Sequence, residues 1–475
     1  MVKMSINLLS NEILQEIVKN LRQNDMFSCL LVSREWCKNT VSLLWQDPQL
    51  VRGKCNKYRV LARTYMLCFT REEKKYLKNN GVPIPPAPHR RPPTFDYPFF
   101  LRKIRIGFIE RLAFEWIYRK RSVDRKGVIL HLNKALQELL FSRAQRLESI
   151  CFDSEWHFAG RQFPSWQNLK ILEVSASSYN SLNPSSFLQT IVNSSCNHIK
   201  IIHSDIDRKH KDCDNLLSRL ITNQRSLEEI KLGSYFQVPQ SINTLKCLKF
   251  NNVDFSAFSG EFAKNSLETI ELLEIRSCQL KTEHFLNSVL KMNNLRQFTF
   301  NDHRLNDPSI HNFFIKLLKT INNLKYLSIH FEYKDQQTYS LVEAIAPLCL
   351  QLEYLKLPSF DLKELLPYMK FFDQLKYFRI DLDIRLNSTL FLQTAKELPS
   401  TLQHLIINDQ KYLINQRYRK IRRNYVSLGV EVYKKFFSTI NCKGLKSIYI
   451  CSDFLPSELQ NLNIKWHNKE MPEKI

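Results

Sequence analysis

Ile270-Glu271-Leu272-Leu273-Glu274-Ile275-Arg276-Ser277-Cys278-Gln279-Leu280 is the stretch that decides the fold. Ile270, Leu273 and Ile275 stand at offsets 0, 3 and 5, and Cys278 and Leu280 continue the series. The same Leu-x-x-Leu-x-Leu string, with Ile or Phe substituting, recurs on both sides of it. It reads Leu169-Lys170-Ile171-Leu172-Glu173-Val174, Leu227-Glu228-Glu229-Ile230-Lys231-Leu232 and Leu245-Lys246-Cys247-Leu248-Lys249-Phe250. Leu295, Leu324, Leu352, Leu375, Leu402 and Leu445 lead further copies, and Leu147 and Ile199 lead weaker early ones. Most steps are about 22–30 residues, the period of arrays in which each repeat supplies a strand and a helix. The interval from Leu402 to Leu445 is longer and must hold an insertion. Helical segments are expected between strings, at Ser309–Ile321, Tyr339–Cys349 and Leu362–Phe372. One strand with one helix cannot bury its own apolar face, so neighbouring repeats must stack. The expected fold class is α/β, a curved solenoid with parallel strands on the concave side and helices on the convex side.

Alternate residues of a strand face one side, so offsets 2 and 4 of each string point away from the stacked core. Offset 2 reads Tyr326, Tyr354, Tyr377 and His404 in successive late repeats, and offset 4 reads Ser328, Lys356, Arg379 and Ile406. With strands about 4.8 Å apart, these rings form a row with cations beside it. Aromatic and cationic clusters are typical of binding hot spots. Tyr326, Tyr354, Lys356, Tyr377, Arg379 and His404 are therefore the candidate substrate-binding residues. Cross-strand aromatic packing without a ligand is the alternative.

The other informative stretch is Leu8 to Pro48. Leu9, Ile13, Ile17 and Leu21 recur at helical spacing. The segment Arg22-Gln23-Asn24-Asp25 interrupts them, with Asp25 the expected N-cap of a second helix. Met26, Phe27, Leu30 and Leu31 follow, then Val32-Ser33-Arg34-Glu35-Trp36, and Leu43, Leu44 and Trp45 close the segment. The size suits a three-helix unit of low intrinsic stability that gains by burying an apolar rim against a partner.

These residues resemble an F-box, the module that docks a protein onto the Skp adaptor of a cullin-type ubiquitin ligase. The resemblance rests on Leu9, Glu12-Ile13-Leu14, Ile17, Leu21, the Leu31-to-Trp36 core and Leu44-Trp45. Ser10 stands where that family usually has Pro and can cap the first helix instead. The resemblance implies Leu9, Ser10, Glu12, Ile13, Ile17, Leu31, Val32, Ser33, Trp36, Leu44 and Trp45 as adaptor-binding residues. The repeat array behind the module is similar to the leucine-rich-repeat receptors in which such an array follows an F-box. The implied partners are a Skp-type adaptor, cullin through it, and an unknown protein substrate. The expected organisation is an F-box-like domain over 1–50, a basic, proline-containing helical linker or cap over 51–145, and the repeat solenoid over 146–475. A basic insertion is expected near 411–435.

The chain has 475 residues, 44% of them hydrophobic, ample for a large core. Only 9 are Gly, and no phosphate-cradling or dinucleotide fingerprint occurs. The net charge of +23 favours encounter with anionic partners but is spread through many segments. The 12 Cys include no Cys-x-x-Cys pair, and the first residues carry polar groups where a signal core would lie. Reduced thiols in cytoplasm or nucleus are the expectation. The apolar stretch Phe99–Tyr118 is broken by Arg102, Lys103, Arg105, Glu110, Arg111 and Glu115, so no membrane span is expected. The proline-rich run from Gly81 to Pro93 reads as a strap or extended linker, with a ligand for an aromatic-lined groove as the alternative.

Cys196, His198, His203, His210 and Cys213 are zinc-capable, but their spacing forms no tight ligand pair, and no metal or other cofactor is expected. Arg417-Tyr418-Arg419-Lys420-Ile421-Arg422-Arg423 suits a phosphate backbone or an import receptor, with a solvated helix face as the alternative. No catalytic constellation is found, and the expected role is non-enzymatic. Two alternatives remain: a leucine-rich scaffold whose opening helices cap the solenoid, and a basic nucleic-acid-binding solenoid.

Overall fold

The computed structural model describes residues 9–50, 56–86, 93–118, 125–158, 160–176, 184–194, 196–207, 209–210, 212–233, 244–255, 267–280, 283–302, 308–321, 323–331, 345, 347–357, 366–382, 388–409, 430–440 and 445–451. The chain divides into two compact units, Met1–Phe236 and Gln237–Ile475.

The first unit opens with three short helices, α1 (Asn11–Lys19), α2 (Gln23–Cys29) and α3 (Arg34–Leu44). Asp25 is not the N-cap of α2. The helix already starts at Gln23, and Asp25 sits in its first turn, where it accepts from Arg22 Nε at 3.0 Å. A carboxylate there meets the free N–H end of the helix, so the same residue chemistry serves one turn later than expected. Ser33 is a true N-cap: its Oγ accepts from the Trp36 N–H at 3.3 Å. Asn39, buried on α3, joins α3 to α1. It accepts from Gln15 Nε2 at 3.0 Å and donates to Asn11 Oδ1 at 2.8 Å.

Two helices follow, α4 (Asn56–Cys68) and α5 (Arg71–Asn79). Thr70 and Glu73 close a reciprocal cap at the start of α5. Gly81, at φ +75°, ends it in the left-handed conformation while the Val82 N–H reaches back to the Leu77 carbonyl. The described part of the proline-rich run lies against the unit as a strap. Val82 and Pro85 are buried, and the Pro83 carbonyl accepts from Trp116 Nε1 at 2.8 Å.

The sheet begins one strand before the strings read from the sequence, at Leu101-Arg102-Lys103-Ile104-Arg105-Ile106, where offsets 0, 3 and 5 are again buried. β1 (Lys103–Arg105) lies within the stretch read as linker or cap, followed by α6 (Ile106–Ile117) and α7 (Arg125–Arg143). β1 pairs in parallel with β2 (Ser149–Phe152), which pairs with β3 (Ile171–Ala176), then β4 (Ile201–Ile206) and β5 (Glu229–Leu232). Helices α8 (Ser185–Asn193) and α9 (Asp212–Thr222) fall between these strands. The Gln46 carbonyl accepts from the Arg102 and Lys103 N–H groups, the same double contact that the Glu148 carbonyl makes with Lys170 and Ile171. The end of the three-helix segment thus meets the start of the first strand at its free edge.

The second unit continues the pattern with β6 (Cys247–Asn251), β7 (Leu272–Arg276), β8 (Gln297–Asp302), β9 (Tyr326–Phe331), β10 (Tyr354–Leu357), β11 (Tyr377–Leu382), β12 (His404–Asp409) and β13 (Ser447–Cys451). Each pairs in parallel with the next. Every string read from the sequence puts its leading residue just ahead of one of these strands. Leu147, Leu169, Ile199, Leu227, Leu245, Ile270, Leu295, Leu324, Leu352, Leu375 and Leu402 are all buried, as are the described residues three positions on. β3 alternates half-buried and buried residues along its whole length, as expected where one face meets a core. Two repeats carry the longer template. At Asn252 and Ser277 the backbone enters the left-handed region, φ 57° and 51°. Val253 and Phe255, and Cys278 and Leu280, then turn inward and are buried.

Helices Pro308–Thr320 and Ser388–Glu397 pack beside these strands, with Phe313, Phe314, Leu317, Phe391 and Ala395 buried. The segment expected as a helix at Leu362–Phe372 is instead a 3-10 turn over Leu366–Phe371, residues 358–365 lying outside the described part. Pro367 explains the difference, since it lacks a donor and disfavours the α conformation at Leu366. The basic run Arg417–Arg423 also lies outside the described residues. Among the described residues no helix is long and apolar enough to cross a membrane.

Candidate functional site

Two surfaces collect the residues singled out from the sequence. The first is on the opening helices. Leu14 and Val18 of α1 are buried, one turn apart. Ile13 and Ile17, one position before each and so about 100° round the helix, are exposed. A helix presents residues i and i+4 on one face, so a second apolar stripe stands outside. Phe27 of α2 is exposed, and the turn into α3 exposes Leu31 (89%) and Val32 (60%). Of these, Phe27 was not among the expected adaptor-binding residues. Its signal was present, in the apolar run Met26, Phe27, Leu30 and Leu31.

The remaining expected residues of this surface are placed as follows. Leu9 is half-buried, and Ser10 is exposed at the N-cap position of α1 without a capping bond from its side chain. Glu12 is exposed, its carboxyl held below the usual range by the backbone hydrogen bond at the helix start and then by the Ser10 hydroxyl. Ser33 is used as a cap, and Trp36 and Leu44 are half-buried. The Trp45 ring is engaged inside the unit, edge-on to Tyr65 at 5.4 Å and tilted on Tyr97 at 4.3 Å. It anchors the helices to the body behind them.

The second surface is the row of rings in the second unit. Tyr326, Tyr354, Tyr377 and His404 are register partners on β9 to β12. Tyr326 and Tyr354 stack at 4.0 Å and 10°, and Tyr377 and His404 at 4.3 Å and 9°. Tyr354 and Tyr377 are 6.3 Å apart and tilted by 34°. The row is therefore two stacked pairs with a wider step between them. Tyr354 is itself buried, while Tyr326, Tyr377 and His404 are half-buried. Burial raises the Tyr326 hydroxyl above its ordinary value, with Glu274 adding to the rise and Tyr354, Arg276 and Arg379 opposing it. In the neighbouring row Lys356 and Arg379 are cross-strand partners and half-buried. Their register partners Ser328 and Ile406 lie on the same face but are buried, so of this row the two cations keep solvent exposure.

The zinc-capable residues do not converge. Burial pushes the Cys196 thiol up to about 12. Cys213 pairs with the Ser185 hydroxyl at 3.2 Å. His203 lies between carboxylates, 3.0 Å from Glu229 and 4.0 Å from Glu173. Among the described residues no group of three or more His, Cys, Asp or Glu side chains could hold a metal.

A third feature escaped the sequence reading although its signal is plain there. The residue after each leading Leu or Ile is charged in most repeats, and these residues meet across adjacent strands. In the first unit Glu148 joins Arg102 (3.5 Å) and Lys170 (3.2 Å), and Lys200 joins Glu228 (2.7 Å). In the second, Glu353 joins Lys325 (3.0 Å) and Lys376 (2.7 Å). Those two lysines, Lys376 first, hold the Glu353 carboxyl below its usual range. Such exposed pairs contribute only about 0–1 kcal/mol each, but like charges out of register would repel.

Neither the family models nor the curated proteins compared with this chain give a match.

Proposed function

We propose that this chain is the substrate-recognition subunit of an SCF-type ubiquitin ligase. In this reading the opening helices are an F-box that binds a Skp-type adaptor and, through it, cullin, while a leucine-rich-repeat solenoid holds a protein target. The observation that carries it is the exposure to water of Ile13, Ile17, Phe27, Leu31 and Val32, while Leu14, Val18 and Val41 of the same segment are buried. Burying one such side chain against a partner contributes about 1.5–3 kcal/mol. The receptor does no chemistry itself; it raises the effective concentration of target lysines near the ubiquitin donor. The outward cations Lys356 and Arg379, beside the paired rings, are the target-binding residues of this reading.

A scaffold without ligase function draws on the contact of the Gln46 carbonyl with Arg102 and Lys103, which gives the opening segment a capping role. That role uses the end of α3 and Trp45 and leaves the rim on α1 and α2 unexplained. Co-expression of the tagged full chain with a Skp adaptor and cullin tests the proposal. Both co-purify with the wild type and neither with Ile13→Asp/Leu31→Asp; failure of the wild type to retain the adaptor contradicts it.

A further inference from the structure

Along one edge of the first unit's sheet, just before β1 to β5, an open groove of about 400 Å³ crosses successive strand starts. Its walls include Arg102, Arg146, Lys170, His198 and Lys200 against the single carboxylate of Glu148. That carboxylate already serves both Arg102 and Lys170. Lys200 is held by Glu228, which leaves Arg146 and His198 as the nitrogen groups of the lining with no ion pair among the described residues. The remaining polar lining, Gln167, Asn168 and Ser226, is neutral and can donate.

We propose that this groove binds an extended acidic or phosphorylated peptide segment. Four cations against two committed carboxylates, Glu148 and Glu228, leave the groove net positive, which favours an anionic occupant. Five strand starts at about 4.8 Å spacing span about 20 Å, the length of about six extended residues. A guanidinium such as that of Arg146 is suited to forked hydrogen bonding with carboxylate or phosphate oxygens. Among the described residues no Phe, Tyr or Trp lines the groove and His198 is its one ring, so it lacks the succession of stacking platforms that single-stranded nucleic acids use. The groove shares no residue with the opening helices or the ring row, so the proposal stands independently of the ligase reading.

Fluorescence anisotropy of the full chain with three labelled nine-residue peptides is the test: one of alternating Glu and Gly, one with phosphoserine replacing Glu, and one with Gln replacing Glu. The two anionic peptides bind, the phosphoserine form more tightly, and the Gln peptide does not. Arg146→Glu weakens anionic binding at least tenfold, while Arg146→Lys retains most of it. Arg146 is exposed and makes no ion pair among the described residues, and a circular dichroism melt matching the wild type confirms that the fold is kept. Lys319→Glu applies the same charge change on the exposed face of a second-unit helix and leaves binding unchanged. Equal losses from Arg146→Glu and Lys319→Glu would reduce the effect to net charge and overturn the proposal. So would tighter binding of a single-stranded RNA of matched charge, or no binding of either anionic peptide.

Discussion

The opening helices and the sheet strands use the same side chains in opposite ways. In the strands of both units, Leu, Ile and Phe at offsets 0 and 3 are buried without exception from Leu147 to Leu405. On α1, α2 and the turn that follows, Ile13, Ile17, Phe27, Leu31 and Val32 are exposed. A stacked repeat has neighbours on both sides to cover its apolar face, whereas a three-helix unit of this size has too little interior to hide two apolar stripes. Exposure on the helices is thus a property of place; isolated apolar residues of this kind would be ordinary, and the proposed adaptor contact is what would cover these five.

The comparison breaks most visibly at the core of a strand. Phe298→Ala removes a fully buried ring that touches Phe300 and Phe314. A loss of about 3–5 kcal/mol is expected from the transfer and cavity terms together, read as a lowered urea midpoint. A drop below about 1 kcal/mol would mean that the interior row is loosely packed. On the helical side, Ser33→Ala deletes the cap of α3 and should cost about 1 kcal/mol, measured in the same way. A smaller shift accompanies acid. Burial, then the charge of Lys446, holds the His404 imidazole below its ordinary 6.5. The folded chain therefore takes up this proton less readily than the unfolded chain. The contribution is whole above about pH 6.5 and is lost as pH falls from there toward the lowered folded value. Melting temperatures of wild type and His404→Gln, taken at pH 8 and pH 5.5, should converge at the acid end.

How much of this was legible in the chain follows the same divide. The repeat strings placed the strands of the array from β2 onward because a buried strand face imposes a strict alternation that few substitutions escape. β1 escapes the strings quoted above although Leu101, Ile104 and Ile106 stand at offsets 0, 3 and 5 and are buried, because Arg102, Lys103 and Arg105 between them give the stretch the composition of a basic linker. The α2 start was misplaced because Gln23 and Asn24 carry no apolar mark, and the turn at Leu366 followed Pro367 rather than the apolar spacing around it. The candidate residues on β9 to β12 were placed in one row by counting offsets, but burial of Tyr354, Ser328 and Ile406 depends on what covers the face, which offsets do not encode. Trp45 shows the same limit from the other side: its chemistry suits a docking surface, and only the positions of Tyr65 and Tyr97 reveal that it serves an internal joint.

The most direct measurement is titration calorimetry of the purified full chain with a purified Skp adaptor, run beside urea denaturation, for wild type and Leu31→Asp. Leu31 is 89% exposed, so the variant should match wild-type stability within about 0.5 kcal/mol. Its adaptor affinity should fall at least tenfold, the equivalent of about 1.4 kcal/mol or more. Adaptor binding that is absent in the wild type, or unaltered by Leu31→Asp, would contradict the account.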